Sequence, residues 1–289
     1  MQTKINKAVF PLAGIGALAP SASGTGNMLA IVDKPLLQYA IEEALAAGVA
    51  EMVFVAGKDD SAMQAMVTSL LPSGTKIHFI RIDSREPIDA LLCTEDIIGN
   101  DPFAVIHPAD LVDAETPALK QLLGVHASYG TSVIGVETIA REYSDEHAVI
   151  AGSSVAERTI EVRQIVTNPA PVHAPSTLAA IGRYVLMPSI FQQLRMLKDA
   201  GRNKATLNDA IDLLLKNERV IACQFEGIRY DCASTLGFLQ ATVQFGLRHP
   251  GVSNEFRAFL RNLPFIHSAP TIQLAAALPQ INQAIAIAG

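Results

Sequence analysis

The chain has 289 residues, of which 49% are hydrophobic and 17% are charged, and its formal net charge is −6. This length and composition predict a well-packed protein with one main domain and exclude a disordered chain. The negative charge and the absence of a Lys/Arg run argue against nucleic acid as a partner.

The start of the chain and its hydropathy predict a location in the cytoplasm. The first residues, MQTKINKAVF, lead directly into an apolar strand without the hydrophobic segment of a signal peptide. The sequence contains no window of about 18 uninterrupted apolar residues, so we expect no membrane partner. Cys93, Cys223 and Cys232 lack CxxC spacing, which predicts reduced core thiols and no zinc site.

The first half of the chain alternates predicted strands with predicted helices. An apolar run over residues 7–13 predicts a strand, and it leads into a loop with Gly14 and Gly16. Apolar residues recur at helical spacing after Pro35, and Gly48 supplies a stop. The later elements of this half are predicted strands at 51–56, 76–82 and 102–108 and helices that begin at Ser61 and Pro87. Such alternation predicts an α/β fold with a mostly parallel central sheet flanked by helices.

The second half is richer in strands and predicts a more mixed sheet. Strand-like runs occupy 131–139, 149–152, 159–166, 179–187 and 220–227, with helices near 188–198, 207–216, 234–249 and 255–261. In such a sheet ligands bind beyond the carboxyl ends of the strands, where the Gly14 loop and residues 107–110 lie. The apolar stretch 263–289 is predicted to be a C-terminal tail that packs on its own domain, frays or contacts a neighbouring subunit.

Several segments together carry a family resemblance. KAVFPLAGIG and MLAIVDKPLLQYAIEEALAAGVAEMVFV, followed by IGRYVLMP, LNDAIDLLL and YDCASTLGFLQATVQFGLRHP, resemble bacterial UTP–glucose-1-phosphate uridylyltransferases in order and spacing. The resemblance implies a Rossmann-like nucleotidyltransferase domain over residues 1–262. It also implies transfer of a uridylyl group from UTP to glucose 1-phosphate, with Mg²⁺ held by two aspartates.

The phosphate and metal positions of the family differ in this chain. Backbone N–H groups near Gly14 and Gly16 are the candidate nucleotide-binding groups, with a simple tight turn as the alternative, and no arginine or lysine follows them. Ala109 stands at the position where the family has one of its two metal-binding aspartates. Asp110 is displaced by one residue, which turns a side chain to the other face of a strand. Asp231 matches the second aspartate, with a structural hydrogen bond as the alternative. Asp110 and Asp231 are therefore the candidate Mg²⁺ ligands.

The sugar and nucleotide contacts implied by the resemblance are also altered. The family's Glu-Lys-Pro becomes Thr167-Asn168-Pro169, so two charges are absent. Asn168 and Gly182, the latter within IGRYVLMP, remain the candidate sugar-binding residues. The family's Gly-Leu-Gly-His-Ala becomes EPIDA at 86–90, which adds bulk, a fixed proline and negative charge.

Three functions remain open from the sequence, and no catalytic residue is assigned. The first is a catalytically impaired paralogue that regulates or binds a partner in nucleotide-sugar metabolism, as a homo-oligomer or a hetero-oligomer with an active homologue. The second is an active nucleotidyltransferase that makes UDP-glucose or a related nucleotide sugar with Mg²⁺, helped by Lys58, Arg85 or Lys204 from new positions. The third is a non-catalytic sensor of UTP or UDP-glucose.

Overall fold

The computed structural model describes residues 5–12, 29–57, 61–84 and 86–263. The chain divides into two compact units, Met1–Thr242 and Val243–Gly289. From residue 264 onward the predicted tail lies outside the described residues, so its role stays a prediction. Within the described ranges, none of the helices has the length and hydropathy needed to cross a lipid bilayer.

The strands and helices of the described residues are numbered in chain order. The strands are β1 Lys7–Pro11, β2 Ala30–Ile31, β3 Lys34–Pro35, β4 Glu51–Ala56, β5 Lys76–Arg81, β6 Phe103–Ile106, β7 Asp110–Asp113, β8 Ser132–Thr138, β9 Ala148–Ala156, β10 Thr159–Thr167, β11 Leu178–Leu186, β12 Val220–Gln224 and β13 Ile228–Asp231. The helices are α1 Leu36–Ala46, α2 Ser61–Leu70, α3 Asp89–Leu92, α4 Glu95–Ile98, α5 Ala118–Tyr129, α6 Ile190–Asp199, α7 Leu207–Leu214, α8 Thr235–Gly246 and α9 Ser253–Arg261. Short 3-10 helices occupy Arg141–Glu146 and Pro171–His173.

A nine-stranded sheet, in the order β5-β4-β1-β6-β11-β8-β12-β10-β9, forms the centre of the first unit. The four strands β5, β4, β1 and β6 are parallel. β11 runs antiparallel to β6 and β8, and β12 returns to the parallel direction beside β8. β10 is antiparallel to both of its neighbours. Only β10 and β11 among these nine strands therefore oppose the common direction, which confirms the mostly parallel sheet.

Hydrophobic clusters cover both faces of this sheet, as the predicted fold class requires. Side chains of neighbouring residues on β1 alternate between the two clusters, because successive strand residues point to opposite faces. Phe10 stacks on Phe54 of β4 on the face covered by α1, with ring centroids 4.7 Å apart. Val9 and Val53 pack on the opposite face together with residues of α6 and α7. Helices therefore flank the sheet on both sides.

Helix α1 has the bounds that its apolar spacing predicts. Leu37, Ala40, Ile41 and Ala44 are buried, at i, i+3, i+4 and i+7, and they form one face against the sheet. Gly48 follows the helix with φ +88°, a left-handed conformation that favours glycine. The predicted stop at Gly48 is confirmed.

Parts of the first unit differ from the sequence-based prediction. The single helix expected from Pro87 is two short helices, α3 and α4, because residues 93–94 form a turn between them. A separate two-stranded sheet joins β7 to β13, with Asp110 directly opposite Asp231. Strands of four residues carry too little alternation to be recognised in sequence, and the pairing spans more than 100 residues.

The described part of the second unit is helical. In α9 the rings of Phe256 and Phe259 stack, with their centroids 6.4 Å apart. Arg257 Nη2 donates a hydrogen bond of 2.8 Å to the carbonyl oxygen of Leu247. Gly246 gives the Phe256 ring room, since a Cβ atom there would lie 3.0 Å from it.

Candidate functional site

The candidate site lies where β6 ends and β7 begins, at a carboxyl end of the parallel strands. The chain leaves β6 at Ile106 and turns through residues 107–109. The N–H of His107 donates to the carbonyl oxygen of Gly182 on β11 at 2.8 Å, which fixes the turn against the large sheet. The pairing of β7 with β13 then brings Asp110 and Asp231 opposite each other. Two candidate metal ligands thus lie on adjacent strands.

Asp110 is buried, and both of its carboxylate oxygens have protein partners. Oδ2 accepts a hydrogen bond of 2.6 Å from the N–H of Gly182, and Oδ1 pairs with Nε of Arg229. Burial raises the pKa of Asp110, but the charges of Arg229 and Arg183 outweigh burial and hold it below its ordinary value. The carboxylate therefore stays ionised, with its charge directed at arginine.

Gly182 is required by this close packing. A Cβ atom at this position would overlap Oδ2 of Asp110 and Cβ of His107. The N–H and the carbonyl oxygen of Gly182 are both used, by Asp110 and His107 respectively. Gly182, a candidate sugar contact from the sequence, thus has a structural role in the described residues, and sugar binding there stays a prediction.

Arg229 faces three carboxylates at the site. Its Nη1 lies 2.7 Å from Oε1 of Glu137, and its Nη2 lies 3.6 Å from Oδ2 of Asp231. Burial lowers the pKa of Arg229, but Asp110, Glu137 and Asp231 raise it above its ordinary value. The guanidinium therefore remains charged between three carboxylates.

Asp231 also closes the turn that leads into α8. Its Oδ1 accepts a hydrogen bond of 3.1 Å from the N–H of Ala233, and its carbonyl oxygen accepts one of 2.9 Å from the Ser234 hydroxyl. Helix α8 approaches so closely that a Cβ atom at Gly237 would overlap the carbonyl oxygen of Asp231. The side chain is 36% exposed, so Asp231 combines a turn-forming role with a carboxylate that faces solvent.

His107 and Tyr184 form the inner wall beside Asp110. Their rings meet edge to face with centroids 6.3 Å apart. Burial lowers the pKa of His107 to about 4, with Arg183 adding to this effect and Asp110 opposing it. The imidazole is therefore neutral at physiological pH. The hydroxyl of Tyr184 donates to Oδ1 of Asn208 at 3.2 Å, which joins this wall to α7.

Asn168 is held by the 3-10 helix Arg141–Glu146 and the residue after it. Its φ of +52° is a left-handed conformation that asparagine tolerates. Its backbone N–H donates to the carbonyl oxygen of His147, and its side-chain amide donates to that of Asp145, both at 2.8 Å. Sugar binding by Asn168 stays a prediction. Gly14 and Gly16, and the hypothesised compensating residues Lys58 and Arg85, lie outside the described residues.

Comparison with known proteins identifies the family. A family model described as Nucleotidyl transferase matches residues 21–243. The chain is 35% identical to the UTP–glucose-1-phosphate uridylyltransferase of Staphylococcus epidermidis over 90% of this chain and 99% of that protein. This chain belongs to the bacterial UTP–glucose-1-phosphate uridylyltransferase family.

Solved structures of the family share this fold. A UDP-glucose pyrophosphorylase complexed with UDP-glucose has a TM-score of 0.79 and 33% identity, over 85% of this chain and 100% of the other. The UTP-bound UGPase from Acinetobacter baumannii has a TM-score of 0.78 and 27% identity, over 90% of this chain and 99% of the other. The expected nucleotidyltransferase fold is confirmed.

The donor set in the described residues does not fit the two-aspartate metal site that uridylyltransferases imply. Ala109, which the family resemblance places at one ligand position, has no side-chain donor, and its carbonyl oxygen accepts a 2.8 Å hydrogen bond from the N–H of Cys232. Both Asp110 oxygens already have partners. Within the described ranges, no group of three or more His, Cys, Asp or Glu residues could hold a metal ion. Cys223 and Cys232 are buried thiols, as predicted, whereas Cys93 is a free thiol that is only partly buried.

The sequence did not identify the arginines that organise this site. Arg183 is buried and pairs with Glu43. Arg229 precedes Asp231 by two residues and lies close to its carboxylate. The available signals were a lone arginine inside the apolar run AAIGRYVLM and one directly before Tyr-Asp. An arginine in a buried strand requires a partner, which could have prompted a search for acidic residues elsewhere in the chain.

Proposed function

We propose that this protein binds UTP or UDP-glucose at the strand ends near Asp231 and that uridylyl transfer is impaired. The family assignment and the intact α/β scaffold support binding, since solved structures of similar proteins carry UDP-glucose or UTP. Impairment rests on the presence of Ala109 at a metal-ligand position beside a fully engaged Asp110.

The chemistry of transfer explains why these substitutions matter. Uridylyl transfer brings two anionic reactants together, so catalysis depends on cations that neutralise phosphate charge. In the described residues, the position of the family lysine is Asn168, and its amide donor is already bound to Asp145. Arg229 and Arg183 direct their charge at Asp110, Glu137 and Glu43. Among the described residues, these two arginines therefore leave little of their charge for a triphosphate at this end of the sheet.

A direct assay separates binding from transfer. Purified protein is incubated with UTP, glucose 1-phosphate and Mg²⁺, and pyrophosphate release is measured. The binding of UDP-glucose and of UTP is followed by calorimetry in separate titrations. We expect heat of binding with pyrophosphate release at the level of the blank, in the wild type and in Asp231→Asn alike. Turnover that Asp231→Asn abolishes would contradict impairment, and no binding of either nucleotide would contradict the binding role.

Active transfer is the second candidate function, and one observation favours it. The Asp231 side chain keeps 36% of its surface exposed at the position of a family metal ligand. A low-affinity Mg²⁺ bound there together with substrate phosphates would provide part of the missing charge. Turnover that rises with Mg²⁺ into the millimolar range and depends on Asp231 would establish this candidate.

We further propose that the protein acts in the cytoplasm as an oligomer, with itself or with an active homologue. Leu236 and Leu239 of α8 are exposed large apolar side chains one helical turn apart, which supports a protein partner. Light scattering of the purified protein and its co-purification with an active uridylyltransferase test this role. A strictly monomeric protein that leaves such an enzyme unaffected would contradict it.

A further inference from the structure

All three nitrogens of the Arg229 guanidinium face carboxylates from three different segments. Nε pairs with Asp110 of β7, Nη1 lies 2.7 Å from Glu137 of β8, and Nη2 lies 3.6 Å from Asp231 of β13. The arginine side chain is only 11% exposed. Arg229 therefore holds together acidic groups that would otherwise repel one another.

Two carboxylate oxygens that do not face Arg229 accept hydrogen bonds from backbone N–H groups. Oδ2 of Asp110 accepts from the N–H of Gly182 at 2.6 Å, and Oδ1 of Asp231 accepts from that of Ala233 at 3.1 Å. Mg²⁺ requires a nearly octahedral set of oxygens at roughly 2.0–2.1 Å. The carboxylates are instead oriented towards a planar guanidinium and backbone N–H groups.

We propose that Arg229 is a resident cation, which offsets part of the negative charge of Asp110, Glu137 and Asp231 and orients their carboxylates so that this site keeps its arrangement without a divalent metal ion. Arginine suits this role because its charge is permanent and its donors lie in a fixed plane. A chelator cannot remove such a cation. The inference concerns the site itself, and only its extension to ligand binding rests on the proposed function.

The first test measures metal binding without any nucleotide. Mn²⁺ is titrated into the wild-type protein and into Asp231→Asn, and free Mn²⁺ is measured by electron paramagnetic resonance. We expect the same titration for both proteins, with no specific site filled below about 1 mM Mn²⁺. A sub-millimolar site in the wild type that Asp231→Asn removes would overturn the proposal.

The second test removes the resident cation. Arg229→Met keeps much of the bulk and deletes the charge, whereas Arg229→Lys keeps the charge. We expect the melting temperature of Arg229→Met to fall on the order of 10 °C, because buried carboxylates lose their partner, and that of Arg229→Lys to fall by less than half as much. Arg229→Met with the stability of the wild type would overturn the proposal. If Arg229→Met does not fold, the Mn²⁺ titration of the wild type decides.

The extension to ligands is tested separately. If the wild type binds UDP-glucose, we expect the dissociation constant to change less than twofold between Mg²⁺ and EDTA at equal ionic strength. A tenfold loss of affinity in EDTA would overturn metal independence while leaving the proposed binding function intact. Failure to bind UDP-glucose in either buffer would contradict the proposed function. The resident-cation proposal would then be decided by the Mn²⁺ titration alone.

Discussion

Arg183 and Glu43 join β11 to α1 through three nitrogen–oxygen contacts of 2.9–3.1 Å. The same arginine donates to the carbonyl oxygens of His107 and Asp110, each at 2.8 Å. Glu43 in turn accepts from the N–H of Leu119 at the start of α5, at 2.9 Å. One buried ion pair therefore ties two helices to the turn that carries the candidate site.

Replacing Arg183 by methionine tests how strongly this pair holds the turn. The Arg183 side chain is 1% exposed, and its removal takes the cation away from the buried Glu43 carboxylate and one donor away from each of two carbonyl oxygens. We expect Arg183→Met to lower the free energy of unfolding by about 3–5 kcal/mol in urea titrations. The matched control is Arg219→Met, which breaks a largely exposed pair with Glu161 and is expected to cost less than about 1 kcal/mol. Equal losses of unfolding free energy in both variants would show that the buried pair contributes no more than the exposed one.

Gly182→Ala tests the close approach of β11 to Asp110. The added methyl group would overlap Oδ2 of Asp110 and Cβ of His107. We expect a loss of about 2–3 kcal/mol in the free energy of unfolding, since the sheet and the turn must separate. Gly124→Ala in α5 is the control, because no atom lies within 4 Å of its new Cβ. Alanine there is expected to stabilise the helix by about 0.5–1 kcal/mol.

His107 makes the fold sensitive to mild acid. Its pKa is about 4 in the folded protein, against roughly 6.5 in an unfolded chain. Between these values the unfolded state binds the additional proton, so the free energy of unfolding falls as the pH is lowered from about 6.5 to about 4. We expect His107→Gln to have a shallower dependence on pH in this window, measured by urea titrations at several pH values. The matched control is His173→Gln at an exposed position, measured in the same titrations.

Thr206 caps α7, and its hydroxyl can be removed without disturbing the core. Thr206 Oγ1 accepts from the N–H of Asp209 at 3.4 Å, and the Asp209 carboxylate accepts from the N–H of Thr206 at 2.7 Å. We expect Thr206→Ala to lower the melting temperature by about 2–4 °C, which corresponds to about 1 kcal/mol. Thr206→Ser retains the oxygen and is expected to melt within about 1 °C of the wild type. An alanine variant as stable as the serine variant would show that the cap contributes nothing.

The fold was predictable because its elements are long and periodic. The stripe of Leu37, Ile41 and Ala44 and the stop at Gly48 specify α1 without any tertiary information. Buried runs such as β1 and β4 are continuous in hydrophobicity, as parallel strands covered on both faces should be. The alternation of such runs with helices was enough to predict the α/β class.

The candidate site was only partly predictable, because its partners are distant in sequence. The Asp110–Arg229 pair joins residues 119 positions apart, and the Arg183–Glu43 pair joins residues 140 positions apart. Neither separation leaves a local pattern. The displacement of Asp110 by one residue predicted a changed orientation, but the arginine that this carboxylate meets depends on β7 pairing with β13. Such charge partners can be identified only when the pairing of the strands is known.

The pairing of β7 with β13 also sets an order of events during synthesis. At rates of about 5–20 residues per second, roughly 6–24 s separate the translation of Asp110 from that of Arg229, its partner 119 positions later. Gly182 and Arg183, which contact Asp110 from β11, are made in between. A nascent chain can therefore complete the sheet around β6 while Asp110 still lacks its guanidinium, and β7 can pair with β13 only after nearly the whole first unit has been translated.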